Sequence, residues 1–218
     1  MGLVVVGDIH GCARSLDDLL AELNPGANDH IVFVGDYMDR GPDSKGVIDR
    51  LLRLRESVSC TFLRGNHEKL FLDYLDRDEY ELFAVNGGIT TLESYRDDDG
   101  VISIPKGHID FVRQTQLWYE TEDEVIVHAG LDPALSIAEN LERADPDVLL
   151  WERSHLKQPT LNWEKTVVCG HTPVPKPVNK RNLINIDTGC VFHNNPTLGT
   201  LTAVRLPQRT FVSVPYSG

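Results

Sequence analysis

The chain has 218 residues, 41% hydrophobic and 25% charged, an ordinary globular composition and enough length to bury one full core. No apolar run approaches the roughly 18–20 residues that a membrane helix requires, and the opening run Leu3–Val6 is too short for a secretory h-region, so a cytoplasmic protein with no membrane partner is expected. A formal net charge of −12 argues against nucleic acid as a partner, because duplex binding draws on many cationic contacts to phosphate.

In chain order, the apolar run Leu3–Val6 reads as a buried strand, and Leu16, Leu19, Leu20 and Leu23 follow at helical spacing with Ser15 as the expected cap. A second strand over 31–34 precedes a second helix marked by Val47, Ile48, Leu51 and Leu52 after Ser44, and a third strand covers 61–63. Such β-α-β-α-β alternation, with strands apolar throughout, predicts parallel strands buried on both faces. From about 70 to 120 no metal-like motif occurs, and helices and loops inserted over the sheet edge are expected there. Further strands are predicted over 124–127, 166–169 and 183–186, and a hairpin joins 200–205 to 210–214 about Pro207-Gln208. The whole reads as a single α/β domain over 1–218 with a β-rich second half. Cys12, Cys60, Cys169 and Cys190 form no Cys-x-x-Cys pair, which speaks against a disulfide scaffold or a thiolate zinc site.

Each predicted strand before the final hairpin ends in a polar motif: Gly7-Asp8-Ile9-His10-Gly11, Gly35-Asp36-Tyr37-Met38-Asp39-Arg40-Gly41, Gly65-Asn66-His67-Glu68, His128-Ala129-Gly130, Gly170-His171-Thr172 and Asp187-Thr188-Gly189. Residues that follow strands of an open sheet gather at its carboxyl edge. Carboxylate, amide and imidazole donors gathered there are suited to metal ions.

In this order the motifs resemble those of the calcineurin-like metallophosphoesterases, specifically the branch of phosphoprotein (Ser/Thr) phosphatases and their bacterial and phage relatives. The resemblance implies an α/β sandwich of two mixed β-sheets flanked by helices, carrying a dinuclear centre. Asp8 and His10 would hold the first metal, Asp36 would bridge both, and Asn66, His128 and His171 would complete the second. Manganese is the expected metal, with iron, zinc or cobalt as alternatives, because mixed nitrogen and oxygen donors accept all of them. Two cations about 3.5–4 Å apart would activate a hydroxide for in-line attack on phosphorus. His67 would donate the proton to the leaving group, Asp39 would hold its other ring nitrogen, and Arg40 and Arg64 would grip phosphoryl oxygens. Arg153, after Trp151-Glu152, resembles a further phosphate-binding arginine, whereas Asp187 is expected to support the site from outside.

The resemblance leaves two substrate classes. Hydrolases of diadenosine polyphosphates share the first motif but usually alter the Asp-Arg pair and follow Gly-Asn-His with Asp. Here Asp39-Arg40 and Glu68 favour phosphomonoester chemistry on a phosphoprotein or small phosphate ester, with the diadenosine polyphosphate hydrolases as the alternative. A catalytically silent scaffold would show eroded ligands, and none of the motif residues is missing. Oligomeric state is not legible in these residues.

Overall fold

The structure, a computed structural model, describes residues 2–218. Two five-stranded sheets pack face to face with helices outside each, giving four layers. The first sheet has the order β10-β9-β1-β2-β3 and consists of β1 (Gly2–Val6), β2 (Asp29–Phe33), β3 (Ser59–Phe62), β9 (Thr200–Leu206) and β10 (Thr210–Pro215). The second has the order β4-β5-β6-β8-β7, from β4 (Trp118–Glu120), β5 (Glu124–Val127), β6 (Thr166–Cys169), β7 (Val178–Lys180) and β8 (Leu183–Asn185). Both sheets are mixed: β1, β2 and β3 run parallel, as do β5, β6 and β8, while β9, β10, β4 and β7 pair antiparallel.

Alternation along each strand explains the layers. Val4, Val6, Ile31 and Phe33 face α1 (Ala13–Leu23) and α2 (Ser44–Leu54), where they meet Leu16, Leu19, Val47 and Leu51. Val5, Val32 and Val34 point the other way, against Ile126, Val168 and Ile184 of the second sheet. On that sheet's far face Val125, Val167 and Leu183 are covered by α7 (Ile137–Arg143), α8 (Pro146–Trp151) and Trp163. Burying one such valine or leucine side chain contributes about 1.5–3 kcal/mol, so three apolar layers fix the two sheets relative to each other.

Some local expectations are corrected. Ser15 does not cap α1; it lies inside the helix, where its hydroxyl accepts from the Ser217 amide at 3.0 Å. Ser44 likewise sits one residue inside α2, which is capped by Asp43 accepting from Gly46 N at 2.8 Å. The expected helix-and-loop stretch holds α3 (Asn66–Arg77), α4 (Tyr80–Phe83), a wide turn over Ala84–Gly88, α5 (Ile89–Ser94) and α6 (Lys106–Arg113). It ends in the edge strand β4, which alternation over three residues did not reveal. No helix among the described residues is long and apolar enough to cross a membrane.

Candidate metal centre

The loops after β1, β2, β3, β5, β6 and β8 open at one end of the sandwich, because parallel strands place their carboxyl termini together. The motif residues meet there. Asp36 lies between two clusters of potential ligands, one with His10 and His67 and the other with His128 and His171. Its Oδ2 is 3.4 Å from His10 Nε2, and its Oδ1 is 3.5 Å from His128 Nε2. One carboxylate thus faces both sides of the site.

The donor set fits cations. His10 Nδ1 donates to Met38 O at 2.9 Å and His128 Nδ1 donates to Val34 O at 3.0 Å. A carbonyl only accepts, so each neutral ring must present the Nε2 lone pair inward. His128 Nε2 therefore faces Asn66 Oδ1 at 2.9 Å, acceptor against acceptor, whereas His171 Nδ1, 2.9 Å from the same oxygen, donates to it in the neutral ring whose Nε2 accepts from Arg153. A divalent ion reconciles such lone pairs. Burial lowers the pKa of His10 to about 3 and of His171 to about 2, in both cases against the pull of Asp36, and it lowers that of His128 as well. Unprotonated imidazole is the form that coordinates. Asp8 is pushed up by burial and by the Asp187 and Asp36 carboxylates, and burial raises Asp187 to about 7. Positive charge between these groups would relieve both effects.

Backbone geometry holds the arrangement. His10, Asp36, Asp39, Arg40 and His171 all have positive φ, between 47° and 69°, a costly conformation for residues with a Cβ and one that gathers at functional sites. Asp8 accepts from His171 N through both oxygens, at 3.1 and 3.0 Å. A Cβ on Gly170 would fall 1.9 Å from Asp8 Oδ1, and one on Gly65 would fall 2.1 Å from Asp36 Oδ1. Glycine is required at both places by close approach.

His67 and Asp39 form a buried pair, Nδ1 to Oδ2 at 2.7 Å. Burial opposes the imidazolium, but the Asp36 and Asp39 carboxylates prevail and raise the His67 pKa. The other nitrogen, Nε2, is buried with no hydrogen-bond partner, and the ring lies edge-on to His10 with centroids 4.7 Å apart. Arg40 Nη1 donates to His10 Nε2 at 2.8 Å, and Arg153 Nε donates to His171 Nε2 at 2.9 Å. One guanidinium therefore lies against each side of the centre.

The Arg64 side chain turns away from these clusters. Its Nε donates to Thr115 Oγ1 at 3.0 Å and its Nη2 to the carbonyls of Arg113 and Thr115 at 3.0 and 3.1 Å. The orphan carbonyls at the end of α6 claim its donors.

Three supporting residues had been given no site role. Glu68, fully buried, accepts from Asp36 N and Gly65 N at 2.8 Å through Oε2 and from Tyr37 N at 2.9 Å through Oε1, stapling two ligand loops. Thr91 donates to Asp39 Oδ1 at 2.5 Å, while Gly87 O accepts from Arg40 N at 3.2 Å; the Gly87-Gly88 and Thr91 pattern was the available signal. His155, buried behind the His128 loop, places its ring where a Gly130 side chain would go, and its Nε2 lies 3.7 Å from Cys169 Sγ. Only its burial reveals it. His193 stacks on Tyr216, with ring centroids 3.9 Å apart.

Comparison with known proteins agrees with this geometry. The profile of the calcineurin-like phosphoesterases matches residues 1–198. A bis(5'-nucleosyl)-tetraphosphatase PrpE [asymmetrical] of Oceanobacillus iheyensis is 32% identical, with 98% of this chain and 92% of that protein covered. Serine/threonine-protein phosphatase 1 of Salmonella typhimurium is 34% identical over 90% of each chain. Among solved structures, a candidate diadenosine tetraphosphatase superposes with a TM-score of 0.74 at 24% identity, covering 100% of this chain and 94% of its own, which supports the fold. Members of this family use divalent metals, and the histidine and aspartate clusters here are suited to them. The ordered motifs, their convergence around Asp36 and the match over most of the length place the chain in the calcineurin-like phosphoesterase family.

Proposed function

We propose that this chain is a metal-dependent hydrolase of dinucleoside tetraphosphates, cleaving them asymmetrically. The observation that carries the reading is similarity along nearly the whole chain, at about a third identity, to several bacterial proteins bearing that activity in their names. It displaces the preference for a phosphoprotein substrate, for a physical reason. Glu68 contacts loop backbones rather than the open face of the centre, and Asp39 is sealed against His67. Neither position is placed to sort substrates, so the identities that favoured phosphomonoesters carry no weight.

In this reading Asp8, His10 and Asp36 would hold one cation, and Asp36, Asn66, His128 and His171 would hold the other, with manganese the metal of choice. Bound there, two divalent ions would supply Lewis acidity and positive charge for a phosphoryl group. His67 presents its partnerless Nε2 to the leaving oxygen as a general acid, oriented by Asp39 and kept protonated by the Asp36 and Asp39 carboxylates. Arg40 and Arg153, one on each side, suit a polyphosphate whose charge extends beyond the scissile group. A single domain acting in the cytoplasm completes the proposal.

Phosphoserine or phosphothreonine hydrolysis is the second reading, favoured by the likeness to the Salmonella phosphatase. Turnover of diadenosine tetraphosphate and of phosphoserine, phosphothreonine and phosphotyrosine peptides at fixed manganese separates them. A kcat/KM at least about tenfold higher on the dinucleotide supports the proposal. A preference for the peptides overturns it.

A further inference from the structure

An open groove of about 720 Å³ lies beside the centre, lined by Pro173, Val191, Phe192, Asn194, Asn195 and Leu198 among others; its size falls within the range of small-molecule sites. Two of its walls continue segments that build the centre, since Pro173 lies two residues beyond His171 and the turn Cys190–Phe192 follows directly on Asp187-Thr188-Gly189. Phe192 is 36% exposed. The Arg40 guanidinium lies 5.6 Å from its ring centroid, and the same guanidinium donates to His10. A ligand with a phosphate on Arg40 therefore extends next onto Phe192.

The groove belongs to an ordered loop. Asn195 Oδ1 accepts from Thr197 N at 3.0 Å and from Thr197 Oγ1 at 2.9 Å, and Gly199 N donates to Gly189 O at 3.0 Å. The side-chain amide of Asn194 makes no hydrogen bond to any described residue. No charged side chain lines the groove. An aromatic platform beside an unused amide group, next to the Arg40 guanidinium, matches the needs of a nucleobase: stacking on one face and hydrogen bonding along one edge. A peptide would gain little here, because the lining residues belong to no strand whose edge could pair with it.

We infer that this groove is the nucleobase subsite of the enzyme, with a purine lying on Phe192, the Asn194 amide at its edge and the adjoining phosphate on Arg40. The inference rests on the reading of the centre as a dinucleoside polyphosphate hydrolase. It assigns specificity to a loop outside the family motifs.

The test compares the manganese-loaded wild type with Phe192→Ala, Phe192→Trp and Asn194→Ala, all checked for an unchanged melting temperature. The substrates are diadenosine tetraphosphate and p-nitrophenyl phosphate, which carries no base. Phe192→Ala should raise KM for the dinucleotide about five- to hundredfold, the range of one lost base stack, with kcat within about twofold and the aryl ester unaffected. Phe192→Trp should retain wild-type KM, and Asn194→Ala should raise it by about three- to tenfold. Equal effects on both substrates, or none on the dinucleotide, overturn the inference. A wild type inactive on every dinucleoside polyphosphate would refute the functional reading instead. The groove is then judged by adenosine monophosphate inhibition of aryl ester hydrolysis: weakening in Phe192→Ala supports it, and unchanged inhibition overturns it.

Discussion

Replacing Asp39 with Asn removes one charge from a sealed pair and leaves its shape almost unchanged. In the native arrangement the carboxylate takes the His67 Nδ1 proton through Oδ2 at 2.7 Å and the Thr91 hydroxyl through Oδ1 at 2.5 Å. An asparagine has one oxygen for these two donors. If that oxygen stays with Thr91, its amino group faces His67 Nδ1 and the ring can no longer carry protons on both nitrogens. A hydrogen bond to a charged group contributes about 1.5–3 kcal/mol, so the His67 pKa should fall by roughly one to two units. In the wild type the raised pKa keeps the acid protonated until pH climbs through it; in the variant the alkaline loss of activity should begin one to two units lower. At neutral pH, hydrolysis of an alkyl phosphate should slow about 10–100-fold, while p-nitrophenyl phosphate, whose leaving group needs little protonation, should lose less than about threefold. Both are read from steady-state kcat with manganese held constant and metal content verified. Equal losses on the two esters, or an unmoved alkaline limb, would refute the role assigned to the pair.

Other outcomes follow from the same geometry. Exhaustive chelation should abolish activity, and manganese should restore it; full activity after chelation would contradict the metal requirement. Glu68→Gln leaves one acceptor oxygen for three backbone N–H groups, so urea unfolding should show a loss of about 2–4 kcal/mol, and an unchanged midpoint would remove Glu68 as a staple. Arg64→Ala should cost about 1 kcal/mol of stability with KM unchanged, since its donors end α6; a raised KM with stability intact would return it to the phosphate. His155, which burial lowers to about 4, binds a proton in the unfolded chain before the folded one, so its contribution is present above pH 6.5 and is lost as pH falls from about 6.5 to 4, by at most about 1.4 kcal/mol per unit. His155→Gln should flatten that acid slope in urea titrations at pH 7 and pH 5, and parallel slopes would contradict its buried neutral state.

The centre was legible because its residues follow long apolar runs: Asp8 after Leu3–Val6, Asp36 after Ile31–Val34 and His171 after Val167–Cys169 announce both strand and ligand. The same regularity disclosed β1, β2, β5, β6 and the final hairpin. β4 and β7 were not legible, for three residues such as Val178–Lys180 carry no alternation and their pairing is decided by the neighbouring strand. α7 and α8 are also short, yet Ser136 with Glu139 and Asp145 before Pro146 are cap signals that pass unnoticed beside stronger motifs. Arg64 shows a different limit. Its neighbour Asn66 faces the centre, but which way a long side chain turns depends on the carbonyls left open by a helix nearly fifty residues away. The positive φ angles at His10, Asp36 and His171 were equally hidden, because residue type alone does not announce a backbone held in place by tertiary contacts.

The most direct measurement is anomalous diffraction from crystals grown with manganese. The account predicts two peaks about 3.5–4 Å apart, with Asp36 contributing an oxygen to each, His10 beside one, and His128 and His171 beside the other. A single peak, or a pair that Asp36 does not join, would contradict it.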